Sequence, residues 1–105
     1  MEIAPELANE CMNNYSQIIK LGSLQPLLSS YTASVTYSTK DFAEWLQQNK
    51  YLETSTELRI SMGVYTDNVA KQVGKPEYTG RLTTFIWPIV DGEAKAPFNV
   101  GDLNP

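Results

Sequence analysis

In the first twenty residues the apolar positions recur at helical spacing. Ala4, Leu7, Ala8, Cys11, Tyr15, Ile18 and Ile19 fall three or four apart and make one stripe. Pro5 suits a first helical turn and Glu6 favours the positive end of the helix dipole, while Lys20 and Gly22 are matching stop signals. A helix over 5–21 is predicted. From Tyr31 the period shortens to two. Tyr31, Ala33, Val35 and Tyr37 alternate with Thr32, Ser34 and Thr36, which predicts a half-buried strand. Between the two, Ser23 to Ser30 carries Pro26 among leucines and reads as either a helical turn or a plain connector.

The clearest local signal follows. Ser38 is placed to cap a helix, Asp41 stands three positions on as in a capping box, and Tyr37 with Phe42 has the spacing of a hydrophobic staple. The apolar face runs through Phe42, Trp45 and Leu46 and ends near Asn49 and Lys50, so a second helix is predicted over Thr39–Asn49. Two further strands are predicted. In Glu57–Tyr65, Leu58, Ile60, Met62 and Val64 form an aliphatic face. In Arg81–Val90 both faces carry bulk, Leu82, Thr84 and Ile86 on one and Thr83, Phe85, Trp87 and Ile89 on the other, which predicts a central strand. Pro88 lacks a ladder donor, so pairing on one side should stop there or the strand should bulge. Asp91-Gly92 predicts a hairpin turn. In the long connection from Thr66 to Gly80, Thr66 is placed to cap a short helix closed by Gly74 and barred from continuing by Lys75-Pro76. The final stretch from Pro97 reads as an irregular tail packed on the body.

Together these elements predict an α+β fold, a single domain over 1–105. It is a two-layer sandwich with two main helices on one face of a small, largely antiparallel sheet built from Tyr31–Tyr37, Glu57–Tyr65 and Arg81–Val90. The opposite face is expected to carry Thr83, Phe85 and Trp87, to be covered by the tail or by a partner.

Composition changes this picture by what it removes. The 105 residues include no histidine and one cysteine. That excludes Ser-His and Cys-His nucleophile pairs, Cys-x-x-Cys redox chemistry and a Cys/His zinc site within one copy. No metal and no cofactor is expected, and no catalytic residue is assigned. Cys11 lies on the apolar stripe with no Lys or Arg within a turn of it, which reads as a small core side chain. The pairs Asp41/Glu44 and Glu53/Glu57 are the nearest thing to catalytic carboxylates. For the first, stabilising the positive end of a helix is the simpler account. A net charge of -4 argues against nucleic acid as a partner. No apolar run reaches membrane-span length, and the first residues lack a signal-peptide pattern, so no membrane association and a cytoplasmic location are expected.

Three pieces in order carry a resemblance: Leu58-Arg59-Ile60-Ser61-Met62-Gly63-Val64-Tyr65, Gly80-Arg81-Leu82-Thr83, and Phe98-Asn99-Val100-Gly101-Asp102-Leu103. Over its C-terminal half the chain resembles a group of small uncharacterised proteins common in Bacteroidetes. The resemblance implies a bacterial source and a compact fold and carries no activity. This chain departs from that group in having no Cys-Pro after the last segment.

The candidate interaction residues are Lys71, Lys75, Tyr78 and Arg81, a cationic and aromatic cluster in an otherwise acidic chain, together with Phe85 and Trp87. A solvated loop with Tyr78 folded back on the sheet is the competing account of the first four. The function expected is that of a non-enzymatic binding or interaction protein, with an unknown protein partner or self-association through the aromatic sheet face. The alternative is a small-ligand binding domain or a carboxylate-dependent enzyme with a pocket between helices and sheet.

Overall fold

The computed structural model describes residues 1–20 and 32–104. The expected turn or connector at Ser23–Ser30 lies outside the described residues. The fold is α+β, with antiparallel strands throughout. Helix α1 spans Pro5–Lys20 and is followed by strand β1 (Ser34–Thr36), α2 (Thr39–Gln48) and a short α3 (Tyr51–Thr54). Then come β2 (Ser55–Val64), α4 (Asp67–Gln72), β3 (Leu82–Val90), β4 (Glu93–Ala94) and β5 (Asp102–Asn104).

The main sheet has the order β2-β3-β4, so β3 is central as its two bulky faces predict. Asp91 and Gly92 both take positive φ, 51° and 78°, which matches a tight hairpin turn between β3 and β4. Pro88 is accommodated without stopping the β2–β3 ladder, because Leu58 still faces it. Two residues before it, Ile86 exchanges both backbone hydrogen bonds with Phe98, so Pro88 turns its missing donor to that same side. There its carbonyl is used, accepting from the Lys95 N–H at 2.9 Å. On that side the expectation holds: the β3–β4 ladder ends at Ile89 opposite Ala94, and pairing resumes beyond Pro88 only at Ile86 opposite Phe98, one residue out of register. A separate register shift lies in β2 between Ser55 and Glu57.

Two expectations are corrected. The predicted strand Tyr31–Tyr37 does not join the main sheet: β1 covers Ser34–Thr36 and pairs with β5, residue Val35 facing Leu103. The tail read as irregular thus supplies a strand. Alternation shows which residues share a face but not which strand lies alongside, and β5 is too short to announce itself. The second correction concerns the sheet faces. Thr83 and Phe85 are fully buried and Trp87 nearly so, in one core with Ala8 and Cys11 of α1. The aromatic face is the packed one, under α1. It buries the larger apolar area, and the Trp87 indole N–H still reaches Ser61 Oγ at 2.8 Å.

The caps form as the sequence predicts. Ser38 Oγ accepts from the Asp41 N–H at 3.2 Å, and Thr66 Oγ1 accepts from the Val69 N–H at 3.2 Å. Tyr37, Phe42 and Trp45 all pack on the Phe98 ring, with centroids 5.4, 5.2 and 5.1 Å away, which seats α2 on the chain segment beside β3. Helix α1 approaches β2 at Gly63, where an added Cβ would lie 2.6 Å from the Phe85 ring and 3.1 Å from Cys11 Cβ. Only glycine lets helix and strand come this close. Gly63→Ala is expected to cost about 1–3 kcal/mol through overpacking, read as a lower midpoint in denaturant melts. An unchanged midpoint would mean that α1 does not rest on Gly63.

Candidate functional site

The structure brings part of the predicted cationic cluster together. Thr66 caps α4, and the chain then turns at Gly74, at φ 77°, and makes a single 3-10 turn at Pro76–Tyr78. This folds Tyr78 back onto the sheet, where it is buried and stacked on Tyr65 with centroids 5.8 Å apart. Lys75 Nζ and the Arg81 guanidinium flank the Tyr78 ring at 5.8 and 5.6 Å, a cation–π arrangement. Lys71 takes no part, since its ammonium pairs with Asp67 at 2.8 Å one helical turn away. The loop is anchored further by backbone bonds from Gly80 N–H to the Tyr65 carbonyl and from Tyr65 N–H to the Arg81 carbonyl. Lys75, Tyr78 and Arg81 therefore hold one another and the end of β2. Phe85 and Trp87, the other two candidates, lie inside the core and are closed to a partner.

The reactive groups are likewise enclosed. Cys11 is fully buried, and burial above all pushes its thiol from near 9 up to about 11. Burial also raises the Tyr65 and Tyr37 phenols. Tyr65 O–H donates to Asn99 Oδ1 at 2.7 Å, and Tyr37 O–H donates to the Thr84 carbonyl at 2.8 Å. Asp41 and Glu44 line an open hollow of about 440 Å³ with Glu2, Trp45 and Asn49. Glu2 is engaged by the Trp45 indole N–H at 3.0 Å, and Glu44 stands 3.9 Å from Lys40. Glu53 is on α3 and Glu57 in β2. Among the described residues no three Cys, Asp or Glu side chains come together in a group suited to hold a metal ion.

What lies open is the aliphatic side of the sheet. Leu58, Ile60 and Met62 are 45, 66 and 38 % exposed. They share their face with Leu82, Thr84 and Ile86 across the ladder. Ile60 and Met62, with Leu82 and Ile86, floor a groove of about 350 Å³ whose far wall is Thr32–Val35 and Tyr37. A second hollow of about 200 Å³ sits at the other end of β2, between Leu46, Tyr51, Leu52, Thr56 and Leu58. Contiguous exposed apolar surface of this kind is uncommon on a chain that works alone. The sequence pattern predicts these aliphatic residues on the face covered by the helices. No period in the chain signals their exposure, because the charged Glu57 and Arg59 alternate with them and stand on the other face.

No family model, no curated protein and no solved structure matches the chain.

The buried thiol gives a direct check on the packing of α1. Its proton is held more tightly in the folded state, so its contribution to stability is complete below about pH 9 and is lost as pH rises toward about 11. At pH 8 the thiol is expected to react with a disulfide reagent only on the timescale of unfolding, and at once in denaturant. Rapid stoichiometric labelling of the folded protein would contradict the placement of Cys11.

Proposed function

We propose that the chain is a non-enzymatic protein-binding module, and that its contact surface is the aliphatic side of the β2–β3 sheet. The observation that carries this reading is the exposure of Leu58, Ile60 and Met62 in a row along one strand, beside a groove with apolar walls. Covering such side chains yields roughly 25 cal/mol per Å² of apolar area, so an apolar segment of a partner protein gains most by docking there. Interaction surfaces are commonly an apolar centre with a polar rim, and here the Thr32–Ser34 wall supplies polar rim. The reading is supported also by how the reactive groups are used: the thiol and the deep phenols are buried within the packing, and the cations at Tyr78 brace a loop. A cytoplasmic setting and a bacterial source belong to the same proposal. Among the described residues no helix is long and apolar enough to cross a membrane.

A photocrosslinking residue at position 60, with exposed position 17 as control, tests the proposal in a lysate of the source cells. A discrete adduct from position 60, identified by mass, is expected, with none from position 17. Met62→Lys is expected to lower its yield about tenfold, the equivalent of ~1.4 kcal/mol, while leaving the melting curve nearly unchanged. Equal labelling from both positions would overturn the reading. So would a loss of several kcal/mol in Met62→Lys, which would mark the face as covered by the chain itself.

A further inference from the structure

Strand β2 is paired along one side only among the described residues, with β3. The phase of that ladder is fixed at its end, where the Tyr65 N–H donates to the Arg81 carbonyl at 3.0 Å. Backbone groups of the odd-numbered residues therefore point to β3, and those of Leu58, Ile60, Met62 and Val64 point outward. The Val64 carbonyl is taken by Asn14 Nδ2 at 3.2 Å. The outward groups of Leu58, Ile60 and Met62 meet no protein partner among the described residues. A strand edge of this length left unpaired among the described residues is a template for another strand.

The geometry points to a second copy of this chain as the partner, its β2 added antiparallel to this edge about a twofold axis at Leu58. This rests on the protein-binding reading, and it uses the backbone edge of β2 beside the aliphatic side rather than that side itself. The side chains set the register. Glu57 and Arg59 are exposed, and neither is in an ion pair among the described residues. With Leu58 opposite Leu58 of the partner subunit, Glu57 faces Arg59 of the partner subunit, and the twofold repeats the pair. An axis at Glu57 or at Arg59 would set like charges opposite each other, and one at Ile60 would set no charges opposite. The same register brings Ile60, the most exposed side chain of the row, toward the start of β2 of the partner subunit, where the strand's register shifts between Ser55 and Glu57. The hollow lined by Leu46, Tyr51, Leu52 and Leu58 lies at that same start of β2, so apolar surface flanks both ends of the contact.

Such a contact is small, at the weak end of protein interfaces, and concentration decides its occupancy. Sedimentation of the purified chain from micromolar to millimolar concentration is expected to show a reversible monomer–dimer equilibrium. Glu57→Arg and Arg59→Glu should each raise the dissociation constant about tenfold or more, by opposing like charges. The double variant E57R/R59E should bring it back to within about threefold of the original, because the pair is restored with its signs exchanged. Circular dichroism of each variant separates this from misfolding. A monomer throughout overturns the proposal, and so does a dimer that ignores the single charge reversals. The crosslink at position 60 is read by mass independently. An adduct to a different protein, with a monomer in sedimentation, overturns self-pairing and keeps the broader reading. No adduct and no dimer overturns both.

Discussion

Asn99 is a fully buried amide in a small core, and the rest of the fold is arranged to satisfy it. Its Oδ1 accepts from the Tyr65 hydroxyl at 2.7 Å, and its Nδ2 donates to the Thr84 carbonyl at 2.5 Å and lies 3.4 Å from Thr83 Oγ1. Its backbone N–H donates to the Met1 carbonyl at 2.8 Å. A buried amide left unpaired costs about 1–3 kcal/mol, so each partner has to arrive for the others to be worth burying. Through the side chain and backbone of this one residue, the end of β2, the start of β3, the residues ahead of α1 and the C-terminal segment are held at fixed positions. The next residues show the same constraint in the backbone. Val100 is held at φ 65°, a conformation costing a β-branched residue roughly 1–2 kcal/mol. Gly101 passes so close to β1 that a Cβ would lie 2.6 Å from the Thr36 carbonyl oxygen.

That anchoring explains why the sheet is covered on one face and open on the other. With residues 97–99 fixed beside β3, Phe98 becomes the seat for Tyr37, Phe42 and Trp45, which fastens α2 along that edge. Helix α1 lies on the aromatic face, at Gly63 and Phe85. The outer edge of β2 and its aliphatic side are left with no comparable cover among the described residues. The binding reading and the self-pairing reading both follow from this one-sidedness.

Local signals read well in the sequence, because each depends on chemistry a few residues wide. The caps at Ser38 and Thr66, the turn at Asp91-Gly92 and the central place of β3 are all of this kind. The pairing of β1 with β5 and the choice of covered face depend on contacts between distant residues, and no period in the chain encodes them. Asn99 shows the limit best. In the sequence it is one asparagine in an irregular tail; in the fold it is fully buried, with Tyr65 34 positions away. The cationic loop was legible as a cluster, yet sequence left open that Tyr78 would spend its ring on Lys75 and Arg81 within the chain. The open aliphatic row was legible as a face and hidden as a site, since exposure is not written in alternation.

The central claim is that Asn99 and its partners act as one unit that fixes the sheet to the C-terminal segment. A double-mutant cycle between Tyr65→Phe and Asn99→Ala, followed by denaturant unfolding, tests it most directly. If the two side chains hold the fold together as a pair, each single change destabilises, and the double change costs less than their sum by a coupling energy of about 0.5–3 kcal/mol. Simple additivity of the two losses, or a Tyr65→Phe chain as stable as the original, would contradict the claim.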